Sequence, residues 1–169
     1  MLKPKYRIRP GTAKDLKLIH TLICELARFE KLFHEVRCTP HSLSKVLFKP
    51  KSVAHVLIVE IKEGKKSIPV GFALYFYNFS TFLGKPGIYL EDLFVLPQYR
   101  SLGLGLSLLK HLAYLAIKNK CGRLEWAVLD WNKRAIKFYR KQGAKPLSEW
   151  TVNRVTGPAL KKLAKGSRI

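Results

Sequence analysis

The chain has 169 residues, 47% of them hydrophobic. That length suits one domain with a sizeable core, and that composition excludes intrinsic disorder. No apolar run approaches the ~20 residues a membrane-spanning helix needs, so no membrane partner is expected. A net charge of +21, from 32 Lys and Arg against 11 Asp and Glu, draws polyanions and steers anionic ligands.

Tyr6 to Arg9 reads as a first strand, after a basic start, Met1-Leu2-Lys3-Pro4-Lys5, that lacks the apolar stretch of a secretory leader. Thr12-Ala13-Lys14-Asp15 reads as a helix cap with a carboxylate facing the dipole. The helix runs to about Phe29, with Leu16, Ile19, Leu22, Ile23 and Leu26 on one face. Thr39-Pro40 starts a second helix that ends near Phe48. Val53 to Ile61 and Ile68 to Asn78 form a hairpin around Glu63-Gly64-Lys65-Lys66. Leu83 to Gly87 is a turn, and Tyr89 to Val95 is the central strand, ended by Pro97.

Arg100-Ser101-Leu102-Gly103-Leu104-Gly105 follows as a glycine loop. A long helix comes next, with Leu108, Leu109, Leu112, Leu115 and Ala116 at three- and four-residue spacing. Arg123 to Leu129 is a strand and Asn132 to Gln142 a helix closed by Gly143. Val152 to Val155 is expected to be a last strand, before a short basic helix at Ala159 to Ala164. The order β-α-α-β-β-β-α-β-α-β describes an α/β chain, a mixed twisted sheet flanked by helices in one domain, residues 1–169. The crossover makes the central strand and the strand at 123–129 parallel.

The strand–loop–helix unit is an anion site in outline. A helix's first turn offers unpaired N–H groups and the positive end of its dipole, and glycines let a ligand come close. Leu106-Ser107 after Gly105 does not fit a P-loop, and Leu108 does not fit the third glycine of a dinucleotide fingerprint. Three widely spaced cysteines, Cys24, Cys38 and Cys121, read as reduced thiols in a cytoplasmic setting. The five histidines show no metal-ligand spacing, and no metal is expected.

The pattern Arg-x-x-Gly-x-Gly after a strand resembles the acetyl-CoA loop of the GNAT family of N-acetyltransferases. Arg9-Pro10 with Thr12-x-x-Asp15 is similar to the family's opening. Three further stretches resemble its diamine (spermidine/spermine) acetyltransferase branch. They are Glu25-Leu26-Ala27-x-Phe29-Glu30, Tyr89 to Val95, and Trp131-Asn132-x-x-Ala135-Ile136-x-Phe138-Tyr139-x-x-x-Gly143-Ala144.

The resemblance implies direct acetyl transfer from acetyl-CoA to an amine, without an acyl-enzyme, in a homodimer. It implies that the backbone of Leu93, Phe94 and Val95 holds the pantetheine and acetyl group. Arg100, Ser101, Leu102, Gly103, Leu104, Gly105 and Leu106 would bind the pyrophosphate, and Asn132, Lys133, Arg134 and Ala135 would line the cofactor. Tyr139 would protonate the departing thiolate, and Glu91 would orient the acceptor or deprotonate it through water. Each has a plainer reading: Tyr139 packs beside Phe138, and Glu91 lies on the strand face opposite Asp92.

The acceptor side is implied to include Phe29, Glu30, Glu91, Asp92, Glu125, Trp126, Ala127, Glu149 and Trp150. The polyamine branch carries an acidic residue and a tryptophan where this chain has Ser80 and Phe82. That departure weakens the case for a long polyamine. Six of the few carboxylates, Glu30, Glu91, Asp92, Glu125, Asp130 and Glu149, lie in or beside the implied cleft. They would form an acidic pocket for a small mono- or diamine or a lysine-like amino acid. The alternatives are a protein acetyltransferase acting on a basic tail and a non-enzymatic nucleic-acid binder. For the latter, the cations are scattered along the chain rather than gathered in one stripe, so nucleic acid is expected to meet only a non-specific basic surface.

Overall fold

The computed structural model describes residues 4–167; Met1 to Lys3 of the basic start, and Arg168 and Ile169, lie outside the described residues. Contacts divide the chain into two compact units, Met1–Ala127 and Val128–Ile169. Among the described residues no helix is long and apolar enough to cross a membrane.

The first unit is a five-stranded sheet in sequence order. Its elements are β1 (Tyr6–Pro10), α1 (Leu16–Phe29), α2 (Pro40–Val46), β2 (His55–Glu63), β3 (Lys66–Ser80), β4 (Lys85–Val95), α3 (Leu104–Lys118) and β5 (Leu124–Trp126). The first four strands pair antiparallel and β4 pairs β5 parallel, as the crossover requires. Val56, Ile58, Phe72 and Phe94 project from one face and pack with Ile19 and Leu22 of α1 and with Leu43 and Leu47 at α2. Helix α3 lies along β2 to β5 and buries Leu104, Leu108, Leu109, Leu112 and Ala116. These are the positions that the three- and four-residue spacing marks as its apolar stripe.

The start of α1 is tied to the sheet by charge. The Thr12 N–H and hydroxyl both donate to Asp15 Oδ2 at 2.8 Å. The Arg9 guanidinium grips both oxygens of Asp15 at 2.8 Å, and its Nε donates to the buried Glu60 at 2.7 Å. Arg7 and Ser67 also donate to Glu60. The expected helix start is present, with one turn of 3-10 helix, Ala13–Asp15, ahead of α1.

Several boundaries differ from expectation. Strand β4 begins at Lys85, inside the stretch read as a turn, and the chain reverses instead over 81–84, where Gly84 takes φ 60°. Strand β5 covers Leu124–Trp126 and not 123–129, because its ladder stops opposite Leu90. The bulge described below bends β4 at the next residue.

The second unit carries α4 (Lys133–Arg140) and α5 (Gly157–Leu163). The Asn132 side chain accepts the Ala135 N–H at 3.2 Å and so caps α4. Gly143, at φ 87°, closes the helix with its N–H donated to the Arg140 carbonyl. The expected strand at Val152–Val155 is not formed: residues 151–156 have no regular structure and all are exposed. The β-prone side chains are present, but a strand is stabilised by a ladder, and no paired strand runs beside this segment. No residue of the second unit is buried among those described.

Candidate active site

The central strand is paired differently on its two edges. Toward β3 its register runs from Lys85 to Val95 with one slip: Tyr75 pairs Leu90 and Leu74 pairs Asp92. Glu91 is therefore an inserted residue, a β-bulge, which breaks the alternation of the strand. Toward β5 the pairing ends at Leu90, opposite Trp126. Beyond it, residues 91–95 have no strand partner on that edge among the described residues, and the Val95 carbonyl is engaged by Arg100. Phe94 and Val95 are buried and fix this stretch.

The loop after β4 is built to present N–H groups. Ser101 and Gly103 both take left-handed backbone angles, φ 68° and 82°, and turn the chain into α3. The first backbone bond of α3 is the Ser107 N–H to the Gly103 carbonyl at 3.0 Å. The N–H groups of residues 104–106 thus lack an acceptor inside the helix. A Cβ at Gly103 or Gly105 would meet no heavy atom within 4 Å, so this end of the helix faces open space. Leu104 is buried and Leu102 and Leu106 are half-buried; these three anchor the loop while only their backbone is offered. Arg100 Nε donates to the Val95 carbonyl at 2.9 Å. Its guanidinium carbon sits 4.3 Å from the Phe29 ring centre and 5.4 Å from that of Phe94. The side chain clamps the loop onto the end of β4, a positioning task that the motif alone did not suggest.

The acidic residues separate into two groups. Asp92 is half-buried and its carboxyl is pushed up to about 7, first by burial and then by the charges of Glu91 and Glu30. Burial pushes Glu30 up as well. Neither carboxyl has a hydrogen bond or ion pair among the described residues. Glu91 itself is exposed. The plainer reading of Glu91 as a surface residue of the strand agrees with its exposure, while the neighbouring Asp92 is half-buried; the two charges still act on each other. Cys38, its thiol pushed up by burial, then by Cys24 and more weakly by Asp92, stands beside this cluster; nothing in the sequence marked it.

Glu125 does not share the open cluster. Its Oε2 accepts from Asn78 Nδ2 at 2.9 Å and lies 2.8 Å from Arg123 Nε, close enough to pair though off the N–H axis. Trp126 is half-buried on β5, and Ala127 is exposed. Asp130, Glu149 and Trp150 belong to the second unit and are exposed there. Ser80 is buried and its hydroxyl accepts the Leu83 N–H, so it holds the β3–β4 turn, whereas Phe82 at the tip is 92% exposed.

In the second unit, α4 carries Lys133, Arg134, Ala135 and Tyr139. Tyr139 is half-buried with its ring centre 5.1 Å from that of Phe138, and its carbonyl accepts the N–H groups of Gln142 and Ala144. Asn132 is engaged as the cap. Lys133, Arg140 and Lys141 are exposed.

Comparison with known proteins places this geometry. A model described as "Acetyltransferase (GNAT) family" matches residues 20–144. The chain is 39% identical over 165 residues to thialysine N-epsilon-acetyltransferase of Mus musculus, covering 94% of this chain and 96% of that protein. It is 34% identical over 200 residues to L-ornithine N5-acetyltransferase of Arabidopsis thaliana, covering 94% and 88%. Among solved structures, an integron cassette protein from the mobile metagenome of V. cholerae superposes with a TM-score of 0.75 at 32% identity, over 98% of this chain and 99% of that one. The family model spans most of the sequence and the mouse relative is matched over nearly its whole length, so the chain belongs to the acetyltransferase (GNAT) family.

Proposed function

We propose that this acyltransferase passes an acetyl group from acetyl-CoA to the terminal amine of a small amino acid or short diamine. The observation that carries the reading is the cluster of Glu30, Glu91 and Asp92. It is an uncompensated acidic site in a chain of net charge +21, with Asp92 poised near neutrality. The names of the mouse and Arabidopsis relatives refer to terminal amines of amino acids, which agrees with this choice.

The donor side fits the residues present. The N–H groups of residues 104–106 and the dipole of α3 suit a diphosphate. The edge of residues 91–94, which has no strand partner, suits an amide-bearing arm that pairs as a short strand. When bound, acetyl-CoA supplies the activated acyl carbon and a thiol leaving group.

The acceptor arrives as an ammonium of pKa about 10.4, of which roughly one part in 2,500 is neutral at pH 7. Glu30, Glu91 and Asp92 attract it, and its charge favours the ionised form of Asp92. The proton then passes to the carboxylates, directly to Asp92 or through water to Glu91, and leaves a nucleophilic amine. Tyr139 is the proposed proton donor to the departing sulfur. A phenol near 10 protonating a thiolate near 8.5 runs slightly uphill, and a positioned acid contributes about 10²–10⁴ in rate. Holding both reactants in one geometry supplies up to about 7–11 kcal/mol more.

A panel of amines offered with acetyl-CoA, read out as free thiol, tests the proposal. Ornithine and lysine-like amino acids are expected to turn over, and kcat/KM is expected to rise with pH through about 7 as Asp92 ionises. Tyr139→Phe should lower turnover at least roughly tenfold. Wild-type turnover in that variant removes Tyr139 from the mechanism. Acetylation confined to basic peptides would overturn the small-amine reading.

A further inference from the structure

We infer that the groove along α4, lined by Lys133, Ile136, Lys137, Arg140 and Lys141, is a docking surface for the phosphodiester backbone of nucleic acid. Along the sequence the cations look scattered, but they are not evenly placed. Eleven of the 32 Lys and Arg fall in the second unit, with two of the 11 carboxylates, Asp130 and Glu149. That is roughly twice the net charge per residue of the first unit, and α4 then aligns part of it.

Lys133, Lys137 and Lys141 follow at four-residue steps, and Ile136 and Arg140 form the neighbouring row. The helix sets a positive charge about every 6 Å over about 12 Å. The groove holds about 530 Å³, all four cations are exposed, and none pairs with a carboxylate among the described residues. A single small anion would need converging, desolvated donors. An open row of hydrated charges instead suits a repeating anion, which gains by releasing its counterions.

Helix stability does not explain the row. Arg140 and Lys141 at the C-terminal end agree with the dipole, but Lys133 and Arg134 occupy the first turn, where a cation is disfavoured, and no acid is placed there.

The test is fluorescence anisotropy of the whole protein with a labelled single-stranded 12-mer, across a salt series. Binding should weaken with salt, and Lys137→Gln/Arg140→Gln/Lys141→Gln should lower affinity at least roughly tenfold while reducing the log–log salt slope by about 2. Lys62→Gln/Lys65→Gln/Lys66→Gln removes the same charge from the exposed β2–β3 turn of the first unit and should change affinity less than about twofold at 150 mM salt, where screening acts within about 8 Å. Lys133 alone of the row is also implied to line the cofactor, so saturating coenzyme A should remove at most that one contact and leave most of the affinity in place.

Equal losses in both triple variants would overturn the proposal in favour of a diffuse field. Displacement by coenzyme A would overturn it by assigning the groove to a cofactor's phosphates, and absence of salt-dependent binding would overturn it outright. Amine turnover measured on the same preparations separates this outcome from any failure of the acetyl-transfer reading.

Discussion

The sheet unit and the C-terminal unit are held in order by different means. Every residue buried in the described chain lies in the first unit, between Ile19 and Ala116, and its apolar side chains interdigitate across β2, β3 and β4. The second unit has no buried residue; its order rests on caps, on the turn at Gly143 and on half-buried α4. A carboxyl can be desolvated only where a core already excludes water. That is why the titrating group, Asp92, sits on a core strand and the exposed cations sit on α4. The contrast should show first as stability. Phe72, fully buried at the centre of the sheet, is expected to cost about 3–5 kcal/mol as Phe72→Ala, measured by urea unfolding. Leu160→Ala, on exposed α5, should cost less than about 0.5 kcal/mol by the same measurement. Similar costs would break the contrast.

Asp92 sharpens it from the other side, because the first unit also carries a local cost. Its carboxyl is raised from 3.8 to about 7 in the folded chain. Between those values the folded state holds a proton that the unfolded state has released, so this group lowers stability as pH rises from about 4 to about 7, and the cost is full above 7. At about 1.4 kcal/mol per unit the ceiling is about 4 kcal/mol. Asp92→Asn is therefore expected to melt higher than the parent at pH 8 and equally at pH 4, while amine acetylation falls about 10²–10⁴-fold. A variant that loses both stability and activity would make Asp92 a structural residue.

The same division explains what could be read from the sequence. The helices and strands of the first unit follow from apolar spacing, since burial on one face enforces a period. The bulge at Glu91 does not follow, because one inserted residue changes register without changing composition. The truncated β5 is a consequence of it, so seven expected strand residues became three. In the second unit the closing turn was legible, since Gly143 ends α4 as expected, whereas Asn132, read as the first helical residue, is instead its cap. Val152–Val155 was not legible, because alternating side chains describe a willingness to pair, and the partner strand is a property of the fold. For the candidate site, the loop was legible through its glycines, whereas the clamp of Arg100 on Phe29 joins residues 71 positions apart and left no local mark. The separation of Glu125 from Glu30 and Asp92 depends on Arg123 and Asn78 and was equally hidden.

A smaller effect follows from the charged tie between β1 and α1. The Arg9 guanidinium, gripping both oxygens, holds the Asp15 carboxyl down at about 2 against burial, with Thr12 assisting. Burial pushes Glu60 up, but Arg9, Ser67 and Arg7 outweigh it and leave its pKa lowered. A depressed acid contributes stability that is present above its unfolded value and is lost as pH falls through its folded value. The Asp15 contribution, about 2 kcal/mol, should disappear between about pH 4 and pH 2. Asp15→Asn should lose that amount at pH 7 in chemical unfolding and show a flatter decline below pH 4. A parent-like acid profile in the variant would show that the tie contributes nothing.

The smallest effect concerns a residue with two assigned tasks. Asn132 caps α4 through its side-chain oxygen, and the resemblance to acetyltransferases also sets it beside the cofactor. Asn132→Ala removes both, at about 1 kcal/mol of helix stability, so its activity alone would not separate them. Asn132→Asp keeps the capping oxygen and adds a negative charge at the positive end of the helix, next to Lys133 and Arg134. By circular dichroism, α4 should then be at least as stable as in the parent. If Asn132 touches a polyanionic donor, the added charge should raise the KM for acetyl-CoA with little change in kcat. If the cap is its whole function, Asn132→Asp should acetylate amines like the parent. The C-terminal unit would then contribute to the reaction through the frame of α4 and not through the side chain at its start.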